Sequence, residues 1–128
     1  MIWDKQQPED VSFASCEFAW TSFDSVAKTF YLSPLHTGEA RIHTTQKPTS
    51  LYRWIFQRYA NPGDKILDTH LGSGSSRIAA YDAGLDFVGY EIDKEYFDKQ
   101  EERYQRHISQ ISLFVDGDTQ EDGAITLW

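Results

Sequence analysis

From residue 48 onward the apolar positions fall into segments whose period switches back and forth. In KPTSLYRWIFQRYA, Leu51, Trp54, Ile55 and Tyr59 recur at helical spacing, with Pro48 near the first turn and NPGD as a stop signal. KILD (65–68) then reads as a short strand, LGSGS as a glycine turn, and SSRIAAYDAG as a helix closed by Gly84. DFVGYEI is a second strand, Asp93 is placed to cap a long helix over 94–109, and ISLF (111–114) reads as a last short strand. Helix, strand, helix, strand, helix, strand is the alternation that builds a parallel sheet, so an α/β fold is expected. Upstream, the aromatic-rich CEFAWTSF and AKTFYLS alternate imperfectly and are read as strands, and MIWDK opens inside an apolar run.

Composition narrows the picture. At 128 residues with 40% hydrophobic positions, the chain can bury one core and is expected to be a single domain. Acids outnumber bases 20 to 12, a net charge of −8, which argues against the whole chain being an electrostatic binder of nucleic acid. The balance is uneven: residues 41–60 carry Arg41, Lys47, Arg53 and Arg58 and no acid. That strip either faces an anion or is a solvated helix face. Cys16 stands alone, so no intrachain disulfide forms, and it is read as a buried small residue in a reducing compartment. No stretch approaches 18 apolar residues and no signal pattern opens the chain, which points to a soluble, cytoplasmic protein without a membrane partner. His36, His43, His70 and His107 show no metal-ligand spacing.

The chemistry concentrates at residues 65–93. In a strand–turn–helix unit the turn lies at the carboxyl edge of the sheet, against the N-terminus of the next helix, where backbone N–H groups and the helix dipole favour an anion. Gly72 and Gly74 let the chain bend sharply and a ligand approach the backbone. Glu91 ends the second strand, where a carboxylate can accept hydrogen bonds from the vicinal hydroxyls of a ribose. A dinucleotide fingerprint requires a third glycine, but Arg77 holds that place. A nucleoside without a pyrophosphate fits better than NAD, and S-adenosylmethionine is the common one.

HTTQKP (43–48), DTHLGSGSS (68–76) and GYEID (89–93), together with IWDK at the start, resemble the amino-group DNA methyltransferases, which methylate adenine N6 or cytosine N4. The likeness is greatest to permuted members of a phage and prophage type, in which the cofactor half follows the catalytic half. It implies a Rossmann-like sheet with helices on both faces, DNA as partner and S-adenosylmethionine as cofactor. His43, Thr45, Gln46, Lys47 and Pro48 would then lie against the methionine end. Asp68 and the turn Gly72, Ser73, Gly74, Ser75 would cradle the amino and carboxyl groups, and Glu91 would hold the ribose. The sequence departs from the pattern at Thr69-His70, where Pro-Phe is usual, and at Thr44, where the loop usually has proline. His70 is read as a spacer rather than a base.

The family's chemistry rests on Asp, Asn or Ser followed by Pro-Pro and an aromatic, which grips the target amine of a flipped-out base. No two prolines are adjacent in these 128 residues, and SPLH (33–36) is no substitute. Hence no residue is assigned a catalytic role. The resemblance implies residues 1–40 as the remnant of a catalytic half, 41–114 as the S-adenosylmethionine-binding region and 115–128 as an acidic tail. An N-terminally truncated chain lacking the central catalytic strand is expected, with strand edges left open. KILD would pair with another strand of the chain, or the chain would associate as a homodimer or with a complementary catalytic chain. Two readings remain open: a DNA methyltransferase or its cofactor-binding portion, and a non-catalytic cofactor-binding module. A nicotinamide-dependent oxidoreductase rests on fold alone.

Overall fold

The structure, a computed structural model, describes residues 1–117. Three short strands, β1 (Ile2–Asp4), β2 (Cys16–Phe18) and β3 (Thr29–Tyr31), form one sheet in the order β2-β1-β3. The central strand β1 runs antiparallel to β2 and parallel to β3, pairing Trp3 with both Glu17 and Phe30. Trp3 is buried, and its indole N–H donates to the Leu32 carbonyl at 2.8 Å, which satisfies the polar edge of a large apolar ring. Both flanking strands are shorter than their aromatic-rich segments suggest, and Phe18 at the end of β2 and Trp20 beyond it are exposed. Cys16 is half-buried on β2 opposite Asp4.

Helix α1 (Thr49–Tyr59) leads into β4 (Lys65–Asp68), α2 (Ser75–Asp82) and β5 (Asp86–Gly89). β4 and β5 are parallel, with Ile66 opposite Phe87 and Leu67 opposite Val88. Side chains alternate across a strand, and the two faces of this pair have different fates. Ile66 and Phe87 pack on Phe56, Ala79 and Ala80, the core made where α1 crosses α2. Small Ala79 and Ala80, both fully buried, let the helix backbones approach closely. Leu67 and Val88 point the other way and are 64% and 52% exposed, with Tyr90 and Ile92 bare beyond them. The α/β class expected from the pattern is the fold.

The long helix α3 (Lys94–Gly117) starts where the sequence places it. The Asp93 carboxylate accepts from the Glu95 and Tyr96 N–H groups at 2.8 and 3.1 Å. It packs on α2 through polar and aromatic contacts: the Arg77 guanidinium lies 3.7 Å from the Tyr104 ring centroid, and Tyr81 meets Tyr104 edge-on. The expected strand ISLF is wrong: residues 111–114 continue α3. No glycine or proline interrupts residues 94–116, and extending a helix already nucleated adds one hydrogen bond per residue fixed. The first residues of the expected tail also belong to this helix, and 118–128 lie outside the described residues.

Among the described residues no ladder joins β4 to the three-stranded sheet. The two pieces are held together by α1, whose Trp54 and Tyr59 rings meet Phe30 and Phe23 on one side while Phe56 enters the core under β4 and β5 on the other. Among the described residues KILD finds no partner besides β5.

Candidate functional site

The glycine turn is built by its own backbone. The Gly74 N–H donates to the Leu71 carbonyl, and Gly74 sits at φ +72° as the N-cap of α2, a left-handed conformation that side chains resist. Gly72 is left-handed as well, at φ +53°. Asp68 braces the bend from below: one oxygen accepts from the His70 N–H at 3.0 Å and the other from the Ser76 hydroxyl at 2.5 Å. His70 itself is exposed, and its ring is hydrogen-bonded to the Thr69 hydroxyl.

Glu91 closes the other side. Its carboxylate accepts from the Gly72 N–H at 2.8 Å and from the Asp93 N–H at 3.0 Å. The Asp93 N–H, then those of Gly72 and Ile92 and the nearby His43, outweigh the opposing effect of burial and hold this carboxyl below its usual range. Each oxygen retains a lone pair, so the group can still accept from a ligand hydroxyl.

The HTTQKP loop lies against this turn. The His43 ring stands 3.8 Å from the place a Cβ on Gly72 would occupy, and it packs on Tyr96 of α3 with centroids 4.2 Å apart. Its Nδ1 meets the Thr45 N–H and hydroxyl, both at 3.2 Å. Gln46 and Lys47 do other work. Gln46 staples the loop by bonding the Ile42 N–H and the Ala40 carbonyl. Lys47 pairs with Glu17 at 3.3 Å, alongside Lys5 at 2.9 Å. Burial pushes Glu17 up, but the two lysines outweigh it and hold the carboxyl below its ordinary value.

The structure therefore gathers His43, Thr45, Asp68, Gly72, Ser73, Gly74, Ser75 and Glu91 around one bend, and places Gln46 and Lys47 in its supports. The basic strip does not converge on an anion. Lys47 is paired, Arg53 binds Asp82, Arg41 donates to the His43 and Thr44 carbonyls, and Arg58 stacks on Trp54. Two hollows flank the bend without being lined by Gly72, Gly74 or Glu91. One of about 400 Å³ lies among α1, α2 and α3, and one of about 600 Å³ lies between Trp3, Phe13, Leu35 and Thr44–Gln46. Within the bend itself Gly72 is half-buried, and Leu71, Ser73, Gly74 and Ser75 are buried.

Sequence reasoning missed the residues that approach from α3. Arg103 donates to the Ser73 carbonyl at 2.8 Å, the Ser75 hydroxyl at 2.9 Å, Glu39 at 2.9 Å and Thr49 at 3.2 Å. Gln100 is fully buried under Gly74, whose absent Cβ would stand 3.0 Å from its Oε1. The available signal was Tyr96, Gln100, Arg103 and His107: a stripe at helical spacing made of hydrogen-bonding side chains where aliphatic ones would serve a plain core.

Comparison with known proteins agrees with this geometry. The pattern of the DNA methylase family matches residues 2–102. Over 54 residues the chain is 43% identical to DNA adenine methyltransferase YhdJ of Escherichia coli (strain K12), covering 42% of this chain and 18% of that protein. It is 39% identical over 54 residues to the type II methyltransferase M1.MboII of Moraxella bovis, covering 42% and 21%. The crystal structure of the M1.HpyAVI–SAM complex superimposes with a TM-score of 0.65 at 25% identity, covering 80% of this chain and 59% of that one. The chain thus spans about a fifth of the length of these curated relatives and somewhat over half of the solved one. Among the described residues no helix is long and apolar enough to cross a membrane. With its glycine bend between Asp68 and Glu91 and a match over residues 2–102, the chain belongs to the DNA methylase family.

Proposed function

We propose that this chain is the S-adenosylmethionine-binding portion of a DNA methyltransferase acting on adenine N6 or cytosine N4, with residues 41–114 as the binding region. The observation that carries the reading is the meeting of Glu91, Gly72 and His43 at one bend, from three segments far apart in sequence. The donor set suits the ligand. Glu91 offers lone pairs to vicinal hydroxyls, the first N–H groups of α2 lack intrahelical partners and suit a carboxylate, and Asp68 suits an ammonium group. Thr45 and the His43 ring wall the methionine side, with Gln46, Lys47, Ser73 and Ser75 holding the walls in place. When bound, the cofactor supplies the methyl group; the chain's residues orient it.

The order of segments, with IWDK and its small sheet before the glycine bend, supports a permuted arrangement. The grip on the target amine would come from outside these 128 residues, since they contain no Pro-Pro-aromatic element. The open outer edge of β4 and the bare Leu67 and Val88 support association, as a homodimer or with a complementary catalytic chain. The same absence favours a second reading, a module that binds the cofactor and does no chemistry. Calorimetric titration with S-adenosylmethionine, combined with tritium transfer to duplex DNA, separates them. Binding with transfer supports an enzyme, binding without transfer supports the module, and no binding overturns both.

A further inference from the structure

We infer that Arg103 is a positioning residue that fixes the gap between the His43–Lys47 loop and the Gly72–Gly74 bend, and so sets the fit of the ligand's methionine end. The inference rests on the cofactor reading above and deepens it. Arg103 spans the two walls with separate arms of one guanidinium. Nη1 holds the Ser73 carbonyl and the Ser75 hydroxyl on the bend side, while Nη2 holds Glu39 and Thr49 on the loop side.

Glu39 passes the constraint onward. One of its oxygens takes Arg103 and the other accepts from the Thr49 N–H at 2.9 Å, at the start of α1. The loop is therefore anchored at both ends, at Glu39 and at Thr49, and between them Gln46 bonds Ala40 and Ile42 so that it cannot flex freely. His43 rides on this stapled segment and reaches Gly72. The Arg103–Glu39 pair is well shielded, with side chains 14% and 22% exposed, so it is screened far less than a surface pair. Arginine is needed because a planar fork can serve two segments at fixed spacing; a lysine ammonium is a single point. Arg103 touches no ligand in this scheme and acts through the loop and the bend.

The test uses the full chain with Arg103→Lys, Arg103→Gln and Glu39→Gln, and Arg53→Gln as a control that breaks another inter-helix ion pair away from the bend. Hydrogen exchange is read first, without ligand. The expected result is faster exchange in residues 39–47 and 71–76 together for all three variants, and in neither segment for Arg53→Gln. Unchanged exchange in either segment, or the same response in the control, overturns the inference. Affinity is read next: S-adenosylmethionine should bind about tenfold more weakly to the Arg103 variants, the size of an energetic coupling carried through a packed network. Adenosine, which lacks the methionine end, should be unaffected. An equal loss for both ligands overturns the role assigned to Arg103. A wild-type chain that binds neither ligand sinks the cofactor reading, while the exchange result still decides whether Arg103 spaces the two walls.

Discussion

The Gly72 amide donates to the Glu91 carboxylate at 2.8 Å across 19 residues of sequence, tying the first bend of the βαβ unit to the segment just after its second strand. The backbone N–H of Asp93 completes the anchorage. A carboxyl whose folded pKa lies below its ordinary value adds stability above about 4.5 and loses that contribution as pH falls through the lower folded value. Glu91→Gln is therefore expected to cost about 1 kcal/mol at neutral pH. Its thermal midpoint should also depend less on pH below 4.5 than that of the wild type. Parallel acid titrations followed by circular dichroism check this, and superimposable curves would count against it.

Gly74→Ala should destabilise the chain without altering its charge. Alanine at φ +72° costs about 1–2 kcal/mol, and its methyl would press on buried Gln100 at 3.0–3.1 Å. Urea denaturation gives the difference directly. An unchanged midpoint would mean that the bend relaxes to another conformation.

Tyr52 is expected to be reluctant to ionise. Burial, then the negative fields of Asp68 and Glu17, push it up to about 12. A raised folded pKa gives stability that is fully present below the ordinary value of 10 and lost as pH rises through 12. Wild-type stability should therefore fall more steeply than that of Tyr52→Phe between these limits. Tyrosinate absorbance and alkaline melting, measured side by side, test both halves of the expectation.

Leu67→Lys tests the bare face of the parallel pair. Light scattering should show the wild type heavier than one chain at micromolar concentration and the variant shifted toward a monomer. The melting of the dilute chain should change little, because an exposed substitution outside caps and cores is within about 0.5 kcal/mol. Equal masses for the two proteins would remove the case for association through this face.

The elements around the bend were legible because their signals are local. KILD, two glycines, Gly84 and Asp93 mark most boundaries from β4 to α3 within 29 residues, although the strand read over DFVGYEI ends three residues early, at Gly89. ISLF was misread because four apolar residues suit a strand or a helix equally, and only the lack of a breaker after Asp93 decides. The partners of Lys47 and Arg103 were out of reach for another reason. Glu17 and Glu39 lie 30 and 64 residues away, and periodicity carries no information about which distant acid meets which base. The residues that form the bend were thus readable, while the contacts that hold them in place required the fold.

The clamp between residues 39 and 103 also bears on how the molecule matures. The unit from β4 to β5 closes within residues 65–89, whereas this clamp must wait for a helix, two strands and another helix to form between its ends. Long closures are entropically costly and come late in assembly. A newly made chain would hold its glycine corner before it closes the clamp, so protection of residues 39–47 would mark the finished molecule and separate it from its half-built precursors.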